Sequence, residues 1–129
     1  MEILTHLEPR HELKGSILFE ELEEVNEVIF VSRGNVDIGY EINKQKKYVV
    51  RLSDNIVIGA YNCAYNVRTL FVYKCYTECH GYSIRKENWA DIMNKDEFSE
   101  IAEILRKNIT HLYNFKIKKA VLKAKNQHI

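Results

Sequence analysis

The sequence has few residues that break regular structure and no long apolar run. It contains one proline, Pro9, and five glycines among 129 residues, which excludes a Pro- or Gly-rich linker and a collagen-like repeat. No apolar stretch approaches the roughly 18 residues of a membrane span, and the first residues lack the segments of a signal peptide. The three cysteines are an odd number, which argues against a disulfide framework and for a reducing compartment. We therefore expect a soluble domain, which could be the cytoplasmic part of a membrane protein.

The sequence also lacks a strong net charge, but its charges are unevenly distributed. The 19 basic and 18 acidic residues give a formal charge of +1, which excludes a globally basic nucleic-acid binder. Residues 104–129 nevertheless contain seven basic and no acidic side chains, so the remainder carries 12 basic and 18 acidic ones, a net charge of −6. The length and the 46% of hydrophobic residues predict one domain over 1–129. We expect the basic end to meet a membrane face, a neighbouring subunit or the domain's own acidic residues.

The first two-thirds of the chain alternates between short apolar strands and polar turns. Residues 35–42 place Val36, Ile38, Tyr40 and Ile42 on one face, the pattern of a half-buried strand. A polar loop over residues 43–47 leads to a return strand at 48–52, and further strands are predicted at 17–19, 27–31, 56–58 and 69–82. Short strands with glycines at the corners predict an antiparallel β-roll, a jelly-roll-like barrel, over about residues 12–84.

The last third changes to a helical period. Trp89, Ile92 and Met93 share one face of a short helix over about residues 86–93. From Asp96, a suitable N-cap, apolar residues recur at three- and four-residue steps over at least five turns. These apolar positions are Phe98, Ile101, Leu105, Ile109 and Leu112. The predicted fold class is mainly β with α, in which the β-roll is followed by C-terminal helices, with a last helix and basic tail over about residues 96–129.

Signals for catalysis or metal binding are weak, and we predict no enzyme, no cofactor and no metal site. The five histidines are scattered, so no pair has the metal-binding spacing of one helix or strand. Cys75 and Cys79 lie four residues apart in a predicted strand, about 13 Å from each other, so we interpret them as buried structural thiols. The acidic residues from Glu20 to Glu27 lack the ligand pattern of a calcium loop and are interpreted as a solvated turn.

A series of short motifs is more specific because of its order and spacing. The motifs are Lys14-Gly15, Val28-Ile-Phe-Val-Ser-Arg-Gly34, Leu52…Ile58-Gly59, Arg68-Thr69, Thr77-x-Cys79 and Tyr82-Ser-Ile-x-x-x-Asn88-Trp89. Together they resemble the cyclic nucleotide-binding domain family, most closely the domains attached to voltage-gated and cyclic-nucleotide-regulated cation channels. The opening Leu-Glu-Pro-Arg-His-Glu, the segment Ile-Gly-Ala-Tyr-Asn-Cys and the tail rich in Lys, Asn and Ile resemble ciliate-type potassium channels. The resemblance covers about Leu7 to Lys119.

The resemblance implies a phosphate-binding cassette between two strands of the roll. In this family a loop and a one-turn helix cradle the cyclic phosphate, and Gly59, Ala60, Tyr61 and Asn62 fall in that segment. Backbone N–H groups at a helix start, with one arginine, can neutralise a phosphodiester. These four residues are therefore candidate ligand-binding residues.

Further candidates come from the end of the cassette and from the last helix. Arg68 falls at the family's phosphate-binding arginine, and Thr69 beside it offers a hydroxyl to phosphate or purine. A surface or structural salt bridge is the alternative role for Arg68. The family's last helix closes over the base, so Ile101, Ile104 and Leu105 could form an apolar lid. Packing of that helix against the roll explains the same three residues at least as well.

One position departs from the family pattern. Ligand-binding members carry a glutamate at the position of Ala60, where its carboxylate accepts a hydrogen bond from the ribose 2′-hydroxyl. Losing a charge-assisted hydrogen bond costs about 1.5–3 kcal/mol, roughly tenfold to more than a hundredfold in affinity. Bulky aromatic rings in or near the cassette could also occupy the space of the nucleotide. These rings are Tyr61, Tyr65, Phe71 and Tyr73.

The sequence therefore predicts a non-catalytic regulatory or sensor domain of a cation channel. It is expected to bind cAMP or cGMP weakly or not at all, to adjoin its parent channel and neighbouring subunits, and to contact no nucleic acid. The membrane would be reached through the parent protein, so the expected location is a cytoplasmic domain. The alternative is a ligand-free structural module whose basic C-terminal helix binds a neighbouring subunit or an anionic membrane surface. Protein kinase regulatory subunits rank lower, because they depend on the missing glutamate.

Overall fold

A computed structural model describes residues 6–94 and 99–127, except for the side chains of residues 99–102, 105 and 106. Eight antiparallel strands form two four-stranded sheets. The strands are β1 (Glu8–Glu12), β2 (Ile17–Phe19), β3 (Glu27–Arg33), β4 (Asn35–Ile42), β5 (Gln45–Ser53), β6 (Ile56–Ile58), β7 (Val72–Cys75) and β8 (Cys79–Arg85). One sheet has the order β1-β8-β3-β6 and the other the order β2-β7-β4-β5.

Side chains from both sheets share a single hydrophobic core. Val28 and Ile84 of the first sheet and Val36 and Ile38 of the second are fully buried in it. Because the two sheets stay open at their edges, the strands form a roll rather than a closed barrel. The predicted fold class, an antiparallel roll followed by C-terminal helices, is confirmed.

The hairpin between β4 and β5 is tighter than the sequence suggested. The predicted five-residue loop is wrong: β5 already begins at Gln45, and only Asn43 and Lys44 form the turn. Both have positive φ, 52° and 62°, as a two-residue turn that matches the twist of the strands requires. The predicted strand at 35–42 is confirmed, but its polar face is also covered, since Asp37 is buried and paired with Arg51 at 2.6 Å.

The first strand was not predicted. β1 pairs with β8 alone and contains Pro9, which in a sequence argues against a strand because proline cannot donate a ladder hydrogen bond. An edge strand tolerates proline, because one side of it forms no ladder hydrogen bonds. The roll as observed therefore starts at Glu8, upstream of the expected start near residue 12.

The predicted strand at 69–82 is two strands joined by a turn. Cys75 ends β7 and Cys79 begins β8, so the expected separation of about 13 Å along one strand is wrong, and the two thiols lie within hydrogen-bonding reach. Both are free and buried, as predicted. Burial raises the pKa of the Cys75 thiol to about 12, and its hydrogen bond with Cys79 acts in the same direction.

Within the part of the chain that the structure describes, four α-helices accompany the roll. They are α1 (Ala60–Tyr65), α2 (Lys86–Met93), α3 (Ser99–Leu112) and α4 (Lys119–Asn126), and a π-helical segment, Tyr113–Lys118, joins the last two. The helix predicted near residue 86 is confirmed, and its Trp89, Ile92 and Met93 are buried. The expected N-cap Asp96 and the apolar residue Phe98 lie outside the described residues.

The basic C-terminal segment packs on the roll's acidic surface at one point. The Lys125 Nζ lies 4.0 Å from a Glu21 carboxylate oxygen and 5.9 Å from the centre of the buried Tyr40 ring. The last helix therefore meets the acidic turn of its own domain, one of the three partners expected from the charge distribution. In the described ranges, no helix combines the length and the apolar character needed to cross a membrane.

Candidate functional site

The candidate cassette begins where β6 ends. Gly59 adopts a left-handed conformation, with φ of 86°, and starts α1. A Cβ at this position would lie 2.7 Å from the Glu27 carbonyl oxygen, so both the backbone angle and the space require glycine. The helix ends at Tyr65, and the next residue, Asn66, is also left-handed, with φ of 54°. The cassette is thus a strand, a tight turn and a helix of six residues.

The inner face of α1 belongs to the hydrophobic core. Ala60, Asn62 and Cys63 are buried, with 3%, 3% and 7% of their surface exposed. The Cys63 Sγ lies 3.7 Å from the Val25 carbonyl oxygen, and burial raises the pKa of this thiol to about 11. Because the methyl group of Ala60 packs in the core, position 60 presents no polar group to a ligand.

The outer face of α1 carries an aromatic stack. The rings of Tyr61 and Tyr113 lie parallel, with 3.9 Å between their centres and 2° between their planes. Tyr65 packs against Tyr61, and its hydroxyl lies 2.7 Å from the Thr110 hydroxyl. Phe71 also packs against Tyr113, with 6.1 Å between the ring centres. We call Tyr61 and Tyr113 the tyrosine stack, and it attaches the C-terminal helical segment to the cassette.

A small cavity remains between α1 and the C-terminal helical segment. Its volume is about 30 Å³, and its walls include the cassette residues Gly59 to Asn62 and, from the helical segment, Ile109, Leu112 and Tyr113. Such a space holds about one water molecule, whereas sites for small-molecule ligands measure roughly 300 Å³ or more. Tyr61 and Tyr113 both line this cavity, which is too small for a nucleotide.

The structure separates Arg68 and Thr69 from this cavity. The exposed Arg68 donates a hydrogen bond from Nη1 to the Leu22 carbonyl oxygen at 3.1 Å. It lines a second, polar cavity of about 170 Å³ together with Glu24, Asn66 and Lys86. Thr69 is buried, and its hydroxyl bonds both the N–H and the carbonyl of Phe71.

The predicted lid differs from the residues that cover the cassette. Ile104 exposes 58% of its surface, and its predicted role as a lid over a bound base stays a prediction. The side chains of Ile101 and Leu105 lie outside the described residues, so their predicted role stays a prediction. Ile109 and Leu112, which the helical pattern also identified, line the cavity instead.

Tyr113 is the site residue that the sequence reasoning missed. A signal was present: Tyr113, Ile117 and Val121 continue from Ile109 at four-residue steps, and all three are buried. Burial raises the pKa of Tyr113 to about 12, and the neighbouring Tyr61 acts in the same direction. Tyr113 therefore stays neutral in its contact with Tyr61 at physiological pH.

Comparisons with known proteins identify the fold of this chain. None of the protein-family models matches the sequence, and no curated protein matches it either. Among solved structures, the c-di-GMP responsive global regulator CLP of Xanthomonas campestris superposes with a TM-score of 0.75 at 15% identity, over 96% of this chain and 60% of that one. The chain has the fold of cyclic nucleotide-binding domains.

Two further structures share this fold. A putative cyclic nucleotide binding protein from Ruegeria pomeroyi gives a TM-score of 0.68 at 19% identity, over 98% of this chain and 53% of that one. A cAMP-bound form of PfPKA-R gives a TM-score of 0.64 at 21% identity, over 76% of this chain and 35% of that one. This chain thus spans between about a third and three fifths of the length of these three neighbours.

A double-mutant cycle measures how strongly the tyrosine stack holds the helix. We expect Tyr61→Ala and Tyr113→Ala to be non-additive in the free energy of unfolding by about 0.5–1.5 kcal/mol, the usual coupling of an aromatic pair. Denaturant titration of the two single variants and the double variant gives this coupling. As a control, Tyr61→Ala should add to Tyr76→Ala within about 0.5 kcal/mol, because the half-exposed Tyr76 packs under Arg51 in the β7–β8 turn. A coupling near zero for the stacked pair would contradict the assignment.

Proposed function

We propose that this chain is a non-catalytic regulatory domain of the cyclic nucleotide-binding fold in which the tyrosine stack occupies the ligand position. The observation that carries the proposal is the parallel contact of Tyr61 and Tyr113, 3.9 Å apart, directly on the cassette. In ligand-binding members of the fold family, the last helix closes over a bound base. Here an aromatic ring of that helical segment lies on the cassette itself.

Three features of the site argue against tight nucleotide binding. Ala60 has no carboxylate to accept the ribose hydroxyl, and its side chain is buried. The cavity beneath the stack has about a tenth of the volume of an ordinary ligand site. The Arg68 guanidinium bonds the Leu22 carbonyl, outside that cavity. A nucleotide would have to displace the stack and redirect Arg68, and the stabilisation lost in both steps would reduce its affinity.

The regulatory mechanism that we propose is a shift between two positions of the C-terminal helical segment. With the stack formed, residues 113–126 lie against the roll. A partner that binds the undocked helix must therefore supply more binding free energy than this contact contributes. Following the sequence resemblance, we propose that the parent protein is a cation channel and that neighbouring subunits are the partners. The cytoplasmic location is part of the same proposal.

Nucleotide titration tests the occupied site. We expect calorimetric titration with cAMP or cGMP to give no saturable heat up to about 1 mM nucleotide. The dissociation constant would then be about 1 mM or weaker. Thermal unfolding with and without nucleotide gives an independent readout, since a ligand that binds only the folded state must raise the midpoint. Micromolar binding of either nucleotide that Arg68→Ala abolishes would refute the proposal, because it would show a working cassette.

Hydrogen exchange tests whether the stack controls the helix. We expect Tyr113→Ala to raise amide exchange over residues 113–126 by about tenfold, the factor that corresponds to 1.4 kcal/mol, while strands β3 and β4 keep their protection. Phe115→Ala is the matched control, because it removes an aromatic ring from the same segment whose surface is 59% exposed. Equal amide exchange in the two variants would show that the tyrosine stack does not control docking of the helical segment.

A second candidate function uses the outer face of the last helical segment. Lys116, Lys119 and Lys123 are exposed there together with the apolar side chains of Phe115 and Leu122. Basic and apolar groups side by side favour an anionic lipid surface, where each cation near the surface contributes up to about 1 kcal/mol. The domain would then be an interaction module that needs no small ligand.

Vesicle co-sedimentation tests this second function. We expect the chain to sediment with phosphatidylserine-containing vesicles and not with neutral ones. Binding to the anionic vesicles should be lost when Lys116, Lys119 and Lys123 are all changed to Glu. The matched control changes three exposed lysines of the β4–β5 hairpin to Glu, with the same change in net charge: Lys44, Lys46 and Lys47. Absence of sedimentation, or equal loss in both triple variants, would reject a specific basic face.

A further inference from the structure

The strand pair β1–β8 brings together two histidines that are far apart in sequence. His11 lies directly opposite His80 in the antiparallel register, so their side chains emerge on the same side of the sheet. Their rings stack with 4.5 Å between centres and 8° between planes. Both are substantially exposed, which leaves their nitrogens accessible from solvent.

A carboxylate from the β7–β8 turn meets both rings. Glu78 Oε1 lies 2.6 Å from His11 Nε2 and 3.0 Å from His80 Nε2. The two histidine nitrogens and the carboxylate oxygen all lie within 4.8 Å of one another. Two imidazole nitrogens and one carboxylate oxygen thus lie close together at the surface.

We propose that His11, Glu78 and His80 form a surface site for a divalent transition-metal ion such as Zn²⁺. Four tetrahedral ligands about 2.0–2.1 Å from zinc lie roughly 3.3 Å from one another, so the three donor atoms already lie near the required separations. To receive the ion, the two stacked imidazole rings must turn until both Nε2 lone pairs point at it. Imidazole ligands favour zinc, nickel and copper, whereas magnesium and calcium prefer all-oxygen sites. Water completes the coordination, because the three residues lie at the surface.

A metal ion at this site would stabilise the pairing of β1 with the roll. Among the described residues, β1 pairs with no strand other than β8. A metal bound by His11 of β1, His80 of β8 and Glu78 of the turn before it would fix this edge strand to the roll. Spacing within single elements cannot find such a site, because its ligands come from two strands and a turn.

Calorimetric titration of the untagged, chelator-treated chain with zinc chloride and nickel chloride tests the proposal. We expect one ion per chain, with affinity at least about tenfold weaker in His11→Ala and in His80→Ala, since even outer-shell changes cost that much. Glu78→Gln should also weaken binding, because it removes the charge and keeps the shape. Circular dichroism confirms that each variant is folded.

Two control variants make the result specific. His111→Ala removes an exposed histidine from α3 and should leave the affinity unchanged, as should Cys79→Ser, which tests the nearby buried thiol. In hydrogen exchange, zinc should slow the amides of β1 in the unmodified chain and have no effect in His11→Ala. Absence of saturable binding, binding that survives in His11→Ala or His80→Ala, or loss in Cys79→Ser would overturn the site.

Discussion

Contact between Tyr61 and Tyr113 determines how the C-terminal helical segment lies on the roll. Tyr61 projects from a helix of six residues whose opposite face is part of the core, so its ring has little freedom of position. Tyr113 comes from a segment that otherwise touches the roll through Ile117, Val121 and the ion pair of Lys125. Aromatic stacking supplies the geometric restraint, and aliphatic burial supplies most of the area. Both rings also line the small cavity beside the cassette.

Local periodicity made most of the roll predictable. The alternation in β4 and the apolar face of α2 follow from burial against one core, and that signal is contained in a few consecutive residues. Predictions failed where distant residues decided the outcome. Pro9 is acceptable because β1 is an edge strand, and Cys75 and Cys79 approach each other because a turn separates their strands. Neither fact can be read from the spacing alone.

For the candidate site, the sequence located the cassette but not the residue that covers it. Gly59 and Ala60 could be placed by motif, since a left-handed glycine followed by a helix is a local pattern. The covering ring, Tyr113, is not among the aromatic candidates of the cassette, because stacking depends on where two distant segments meet. Arg68 shows the same limitation, since its partner is the Leu22 carbonyl, a backbone group with no sequence signature.

The π-helical segment determines which face of the last helix meets the roll. In a regular α-helix, four residues advance about 40° beyond one full turn, so side chains four apart drift away from a flat contact. The wider π turn takes up that drift, and Tyr113, Ile117 and Val121 all remain buried. In a regular α-helix, Val121 would instead lie about 80° from Tyr113 around the helix axis. Backbone register in this segment, as well as side-chain chemistry, therefore controls whether the basic end of the chain is held against the roll or turned toward solvent.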